Sequence, residues 1–343
     1  MKNIAPALLV PLLVATAPAP DAPVAAPSEI VAAAPETDWR AISPTDLLVM
    51  DLAPDARGHA RRVVIQLMPL PFSQGWIGNI RKLAAAHWWD GTSVNRVQDN
   101  YVVQWGDADA EDKTKAKALP EALNSRISHR YYVVRGYNCV KTVQSPDDRA
   151  CTLSAAARLK IEHKRERDAY GVVPSFFEGW PIGIDYSMSE PMPTLGAVLP
   201  PSPWSESVAP IHCYGMVGVG RNLPPDTGSG AELYAVIGTP PRHLDRNIAL
   251  IGRVIQGIEH LSSLPRGTGA LGFYETAPER TAITAIRLGP EVPGLPAYEY
   301  LSTESASFAR YADARANRRD AFFITPAGGA DICNIPVPVR RAK

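Results

Sequence analysis

The sequence has no excess charge of either sign, which removes the simplest route to polyanion binding. Its 343 residues include 35 Lys and Arg and 35 Asp and Glu, so the formal net charge is zero. The densest basic run, at 163–168, is interleaved with acidic residues. A chain without a positive field has no general attraction for nucleic acid or an acidic membrane surface. We therefore expect neither as a partner.

The usual sequence marks of metal and nucleophile chemistry are also missing. The seven His residues form no His-x-x-x-His pair, and the chain has no Gly-x-Ser-x-Gly motif. Acidic residues at 107–112 alternate like those of a calcium loop but lack its central Gly and distal Glu. Gly218 and Gly220 alone are too weak a signal for a dinucleotide site. We therefore expect no metal and no cofactor.

Proline, by contrast, is abundant, and seven of the 33 prolines precede residue 36. The segment 1–35 starts with a positive charge, continues with an apolar stretch at 4–17 and ends in Pro and Ala. That pattern predicts a secretory signal peptide and leader, whose cleavage site stays open. Pro11 disfavours the alternatives, a buried helix or a membrane anchor. No later segment is a long uncharged apolar run, so we expect no membrane span and a periplasmic or secreted protein.

Cysteine is scarce, with four residues that allow three pairings. In an oxidising compartment two disulfides are expected. Cys139 and Cys151 lie close together in one loop-rich stretch, whereas Cys213 and Cys333 neighbour segments that look ordered, so we predict those two pairs. A reactive thiol is the weaker interpretation, because the chain has no Cys-x-x-Cys motif and alternation along a strand would separate the side chains of His212 and Cys213.

Short strand-like segments dominate the chain after residue 46. They lie at 47–52, 62–67, 93–97, 100–105, 212–219, 231–237, 246–254 and 281–288. Helical spacing of apolar residues occurs at 72–87 and at 254–264. Many short strands with only two core helices predict a mainly β protein built on a closed barrel.

Two further regions do not fit that pattern of strands. From about 109 to 211 the chain is rich in charge, Pro and aromatic residues, with one helical stretch at 153–168, which indicates an insertion. The tail has helical spacing at 306–320, and a strand-like piece, 321–324, follows. We therefore expect a domain over 36–290 interrupted by the insertion 109–211, and a C-terminal extension, 291–343, that packs on it.

An ordered series of motifs runs through both halves of the predicted barrel. The first half has Trp-Trp-Asp-Gly-Thr-Ser-Val-Asn-Arg-Val at 88–97 and Tyr-Val-Val-Gln-Trp-Gly-Asp at 101–107. The second has Met-Val-Gly-Val-Gly at 216–220, Gly-Ala-Glu-Leu-Tyr at 230–234, His-Leu-Asp at 243–245 and Gly-Arg-Val-Ile-Gln-Gly at 252–257. In order and spacing these motifs resemble those of the cyclophilins. The resemblance implies an eight-stranded antiparallel barrel capped by two helices.

The resemblance also implies an activity, peptidyl-prolyl cis/trans isomerisation, and assigns residues to it. Arg96 matches the catalytic Arg of the family, and Gln104 matches the Gln that orients it and contacts substrate. Other positions match the proline pocket and the backbone that pairs with an extended peptide. The pocket positions are Tyr101, Val102, Tyr234, His243 and Leu244, and the backbone positions are Val217 and Gly218.

Four positions depart from the family pattern. Asn95 replaces a His, Val102 is shorter than the usual Met, Ile248 stands where a His is common, and Glu232 replaces a Gln. An alternative function is therefore a catalytically weak binding module or chaperone for proline-containing segments. Under either hypothesis the partners are proline-containing peptides or proteins, and we expect a monomer.

Overall fold

The computed structural model describes residues 25–127, 131–135, 140–141, 149–150, 168, 170, 173–187 and 205–343. Residues 1–24 of the predicted signal peptide and leader, the helical stretch up to residue 167 and the predicted Cys139–Cys151 pair lie outside these residues. No helix within the described ranges is long and apolar enough to cross a membrane.

A closed antiparallel barrel forms the centre of the molecule, as the sequence predicts. Its strands are β2 (Leu47–Leu52), β3 (Arg61–Leu67), β4 (Ser93–Val97), β5 (Val102–Gly106), β12 (Met216–Val219), β13 (Leu233–Val236), β14 (Leu250–Gln256) and β15 (Thr281–Leu288). They follow one another around the barrel in the order β12, β13, β5, β4, β15, β2, β3 and β14.

Two helices pack near the barrel, and one of them lies within the predicted segment 72–87. Helix α2 (Gln74–Ala85) buries Trp76, Ile77, Ile80 and Leu83, whose spacing of three and four residues places them on one face. The predicted helix 254–264 is shorter: α3 spans Glu259–Ser262. Residues up to Gln256 belong to β14 instead, because strand pairing with β3 takes precedence over the helical spacing.

The outer face of β2 and β3 is also buried, which explains why their apolar residues run consecutively. Strands β1 (Trp39–Ile42), β16 (Tyr298–Leu301) and β17 (Val339–Arg341) form a three-stranded sheet. Tyr298 of that sheet packs in one buried cluster with Val49 and Val64. The C-terminal extension therefore packs on the barrel, together with helix α1 (Pro27–Ala32), which contacts α4 (Ala306–Ala316).

The insertion leaves the barrel after β5 and returns at β12, with β13 between these two strands. Strands β5 and β12 both run antiparallel to β13, so the insertion leaves at one end of these strands and returns at the opposite end. Its described part forms a four-stranded sheet in the order β6, β11, β10, β9, and a separate two-stranded pair, β7 and β8. These strands are β6 (Val133–Arg135), β7 (Val140–Lys141), β8 (Arg149–Ala150), β9 (Val173–Phe177), β10 (Trp180–Ser187) and β11 (Ser205–Pro210).

The tail of the chain confirms one prediction and contradicts another. Cys213 and Cys333 form a disulfide that closes a separation of 120 residues. Helix α4 ends at Ala316, and the strand-like segment 321–324 forms turns rather than a strand. Phe322 and Ile324 are exposed there, and no described strand pairs with them. The segment's apolar composition therefore predicted a strand for which the fold provides no partner.

Candidate active site

Arg96 and Gln104 face each other across two neighbouring strands. Strand β4 pairs with β5 so that Arg96 is opposite Gln104. The Arg96 Nη1 donates to Gln104 Oε1 at 3.3 Å. The register of the β4–β5 hairpin therefore places side by side the two residues that the motifs predict as the catalytic pair.

Neutral oxygens hold the rest of the Arg96 guanidinium. Its Nε donates to the carbonyl of Leu271 at 2.8 Å, and its Nη2 donates to Gln98 Oε1. Within the described residues no carboxylate pairs with Arg96. A guanidinium has five N–H donors, so these three bonds leave two for a ligand. Partial burial lowers the pKa of Arg96, yet an arginine remains charged at any working pH.

Aromatic rings border the guanidinium on the solvent side. The Arg96 Cζ lies 5.8 Å from the centroid of Tyr101 and 5.1 Å from that of Phe273. Both distances are within the range of cation–π attraction. Gln98, two residues after Arg96 and just beyond the end of β4, could have been inferred from alternation, whereas Leu271 and Phe273 come from a distant loop without a motif.

An apolar cluster lies next to Arg96, which contacts it through the Tyr101 ring. Val102, Tyr234 and Val236 form a buried cluster, with Tyr101 and Ile248 packed against it. Its residues come from β5 and β13, which pair directly, so Val102 is opposite Val236.

The remaining pocket residues predicted from the motifs lie in a short 3₁₀-helix, Arg242–Leu244. His243 is exposed, and its ring stacks on Tyr101 with centroids 6.4 Å apart. Leu244 is half-buried. The structure thus brings Arg96, Gln104, Tyr101, Val102, Tyr234 and His243 into one region of the barrel surface.

Val217 and Gly218 lie on β12, which pairs on one side with β13 and on the other with β14. Gly218 is directly opposite Tyr234. A Cβ added at Gly218 would lie 2.3 Å from the Tyr234 hydroxyl. The glycine therefore makes room for the larger ring that stands at position 234.

A series of buried, hydrogen-bonded side chains holds the Tyr234 hydroxyl. The Tyr234 hydroxyl bonds to His212 Nε2 at 2.9 Å, and His212 Nδ1 bonds to Asp245 Oδ1 at 2.8 Å. Asp245 in turn accepts from Arg242 Nε at 2.5 Å. Burial lowers the pKa of His212, so its ring is neutral, donates to Asp245 and accepts from Tyr234. The sequence does not reveal this role, since His212 belongs to none of the motifs.

Comparisons with known proteins identify the fold and the family. The family model of the cyclophilin type peptidyl-prolyl cis-trans isomerase/CLD matches residues 76–285. The chain belongs to the cyclophilin family. A crystal structure of the cyclophilin AquaCyp293 from Hirschia baltica is similar with a TM-score of 0.57 and 18% identity, over 92% of this chain and 98% of that one.

A more distant likeness is to a cyclophilin type peptidyl-prolyl cis-trans isomerase of Cryptosporidium parvum, solved in the presence of the dipeptide Ala-Pro. That structure shares 12% identity and a TM-score of 0.33, over 70% of this chain and 98% of that one. No curated protein matches the sequence.

The cyclophilin match includes every residue of the candidate site. It extends over both motif blocks and the insertion between them, and it contains Arg96, Gln104 and the pocket. The protein is therefore an enzyme with a cyclophilin-type peptidyl-prolyl isomerase domain, divergent in sequence from its solved neighbours. The finer assignments, of mechanism and of substrate, depend on the geometry above.

Proposed function

We propose that this cyclophilin isomerises X-Pro bonds of envelope or secreted proteins, with Arg96 stabilising the twisted amide. The observation that carries the proposal is the Arg96 guanidinium, which lies beside the apolar cluster with two donors still available. The isomerisation barrier of a peptide bond is about 18–20 kcal/mol, because rotation removes amide resonance. A catalyst needs only to bind the twisted form more tightly than the planar one.

Arg96 suits that task because its donors are fixed before substrate arrives. In the twisted amide, electron density returns to the prolyl nitrogen, which becomes a better hydrogen-bond acceptor than it is in the planar form. A guanidinium oriented by Gln104, Gln98 and the Leu271 carbonyl can donate to that nitrogen or to the substrate carbonyl without reorganising. Its planar fork of donors distinguishes it from a lysine.

The apolar pocket would hold the proline ring while the bond rotates. Val102, Tyr234 and Val236 offer a buried floor, and Tyr101 and Ile248 pack against it. Because Gly218 and His212 fix the Tyr234 ring on two sides, this floor is rigid. A rigid floor holds the proline ring in one place while the acyl group on the other side of the bond rotates past Arg96.

We also propose that the protein works in the periplasm or outside the cell, on proline-containing clients. The Cys213–Cys333 disulfide supports an oxidising compartment, since such bonds are rare in the cytosol. The leader sequence at 1–35 agrees with that location.

Replacing Arg96 tests the mechanism. We expect Arg96→Ala to lower kcat/KM for an X-Pro peptide by about 2–4 kcal/mol, roughly 30- to 1,000-fold, because it removes preorganised donors. Peptide affinity should fall much less, since the pocket is intact, and Arg96→Lys should not restore the rate. Exchange NMR measures rate and binding on one sample. The matched control is Arg40→Ala, an exposed arginine on β1.

The same experiment separates the enzyme from a binding module. If wild type and Arg96→Ala isomerise the peptide at one rate while both bind it, Arg96 is not catalytic. If wild type binds but does not isomerise at all, the function is that of a binding module. The departures at Asn95 and Ile248 are the features that favour this second candidate.

A further inference from the structure

A loop at 267–274 borders the active site on the side of Arg96. Strand β15 pairs with only the first two residues of β4, so the rest of that strand needs another neighbour. The loop provides it: the N–H of its first residue donates to the Val97 carbonyl and that of its last residue to the Asn95 carbonyl, both at 3.0 Å. Arg96 lies between these two bonds.

The loop packs against β4 at distances that only glycine permits. A Cβ added at Gly272, which has a φ of 79°, would lie 2.7 Å from the Val97 carbonyl oxygen. One added at Gly267 would lie 2.0 Å from the Gly272 carbonyl oxygen. Within the loop, the N–H of Gly269 donates to the Phe273 carbonyl at 2.9 Å. Close packing and internal hydrogen bonds therefore hold the loop in one conformation.

Two apolar side chains of this loop are exposed beside Arg96. Phe273 is 41% exposed, and its ring centroid lies 5.1 Å from the Arg96 Cζ. Leu271 is 65% exposed, and its carbonyl accepts from the Arg96 Nε. The buried clusters of the described chain include neither residue. Packing of the core therefore does not explain why these positions are apolar.

The backbone of Leu271 adds to that observation. Its φ of 56° lies in the left-handed region, which suits glycine or asparagine better than leucine. Strained residues of this kind cluster at functional sites. A leucine that is both strained and exposed next to Arg96 points to a role in binding rather than in folding.

We propose that Leu271 and Phe273 form an apolar subsite for the substrate side chain that follows the proline, and that the subsite selects aromatic or large aliphatic residues there. The proposal rests on the proposed function, in which the proline ring stays in the apolar cluster while the acyl side of the bond rotates past Arg96. A contact between the loop and the rotating side would have to break during the reaction. A contact with the residue after the proline persists throughout it.

A contact that is equal in the ground state and the transition state changes KM and leaves kcat unchanged. Aromatic surface laid against Phe273 and Leu271 leaves water in both states, so the subsite should act on substrate affinity. An acidic side chain would instead compete with the substrate amide for the two available donors of Arg96. The subsite should therefore favour apolar residues over acidic ones.

The test is exchange NMR on the full chain with capped peptides that differ at one position. We expect wild type to have a kcat/KM about five- to tenfold higher for Ala-Ala-Pro-Phe than for Ala-Ala-Pro-Gly, the scale of burying part of one side chain, and the difference should lie in KM. Leu271→Asn, which suits the left-handed backbone, and Phe273→Ala should each reduce this ratio about two- to threefold. The matched control is Leu119→Ala, an exposed leucine of the insertion, which should keep the wild-type ratio.

The ratio separates a subsite from a structural role. Phe273→Ala also removes the ring beside Arg96, so it should slow both peptides, but a purely structural ring would slow them by the same factor. An unchanged ratio in both variants would therefore overturn the proposal. A preference for Ala-Phe-Pro-Gly over Ala-Ala-Pro-Phe would overturn it too, because the subsite would then take the residue before the proline. So would a preference for Ala-Ala-Pro-Glu.

Binding provides a measurement that does not depend on turnover. Chemical-shift titrations give the Kd of each peptide, and Ala-Ala-Pro-Phe should bind wild type more tightly than Ala-Ala-Pro-Gly, with a smaller difference in Leu271→Asn. A wild type that isomerises neither peptide would refute the proposed function, while the Kd values would still decide whether the subsite exists. Equal Kd values for the two peptides in wild type would show that it does not.

Discussion

Buried polar side chains, rather than apolar ones, distinguish the surroundings of this active site. Tyr234 has a hydroxyl that must be satisfied inside the protein, and His212 satisfies it at 2.9 Å. Glu232 places a carboxylate where the family motif has a neutral Gln, and Gly106 makes room for it. Each of these groups carries a desolvation cost that the fold offsets with specific partners.

The cost at Glu232 has a measurable effect on stability. Its pKa is raised from 4.5 to about 7 by burial, so the folded state binds a proton that the unfolded state has released. The contribution of Glu232 to stability is therefore greatest below pH 4.5, and it is lost as the pH rises through 7. Above pH 7 the loss is about 3 kcal/mol, from 1.36 kcal/mol per pKa unit.

We therefore expect Glu232→Gln to unfold at a higher denaturant concentration than wild type above pH 7. The difference in the free energy of unfolding should shrink as the pH falls and vanish near pH 4.5, because both proteins are then neutral at this position. Urea titrations at several pH values measure it. A difference that is constant with pH would mean that Glu232 does not titrate in this range.

At the scale of elements, the hairpin of β9 and β10 joins the insertion to the rest of the protein. Its two-residue turn, Glu178 and Gly179, has φ values of 46° and 83°, as a hairpin turn of this kind requires. Trp180, at the start of β10, is 1% exposed and belongs to the core cluster of the barrel. Arg253 of β14 lies 4.5 Å from that ring and donates to the Gly179 carbonyl at 2.6 Å.

Arg253 shows why the hairpin must stay in place. It is fully buried, and it bonds through Nε and Nη2 to Gln66 Oε1. Burial lowers its pKa to about 10, so it remains charged near neutral pH. Without the hairpin, the Arg253 guanidinium would lose the Gly179 carbonyl as a hydrogen-bond acceptor. Water would also replace the Trp180 ring against which the charge packs.

We expect Trp180→Ala to reduce the free energy of unfolding by about 3–5 kcal/mol, the usual cost of removing a buried aromatic ring. The matched control is Val173→Ala at the exposed start of β9, which should change stability by less than about 0.5 kcal/mol. Chemical denaturation measures both. If Trp180→Ala and Val173→Ala have the same free energy of unfolding, the hairpin is not part of the hydrophobic core. Isomerase activity of the folded variant should be unchanged, since the active site lies on other strands.

At the scale of the whole molecule, the pocket wall is tied to the insertion and to the C-terminal extension. Arg242, at the start of the short helix that carries His243 and Leu244, donates to Asp168 at 2.6 Å and lies 3.5 Å from Asp331. Asp168 belongs to the insertion, and Asp331 lies two residues before the disulfide cysteine of the extension. The insertion and the C-terminal extension thus hold the short helix that carries His243 and Leu244.

The disulfide should contribute strongly to that support. Cys213 and Cys333 close a separation of 120 residues, for which loop-closure entropy predicts a stabilisation of roughly 3–5 kcal/mol. We expect the Cys213→Ser, Cys333→Ser double variant to melt well below wild type under non-reducing conditions. Equal melting temperatures would show that packing of the extension alone is sufficient. Mass mapping of the same non-reduced samples tests the predicted Cys139–Cys151 pair.

The sequence by itself determined the barrel and the catalytic pair on its surface. Arg96 and Gln104 lie in adjacent strands joined by a short turn, so their pairing needs no contact between distant parts of the chain. The resemblance to the cyclophilin motifs placed Tyr101 and Val102 beside them and identified Tyr234 from its own motif. Helix α2 was equally predictable, because its apolar spacing is a local property.

Only the tertiary structure decided which other residues contact Arg96 and Tyr234. His212, Leu271 and Phe273 reach the site through contacts between residues far apart in the chain, and no local pattern encodes such contacts. The failed strand at 321–324 has the same cause, since a strand needs an edge to pair with and composition alone does not supply one. Local periodicity specifies which elements form, whereas long-range packing specifies which polar groups share a buried site and therefore how they ionise.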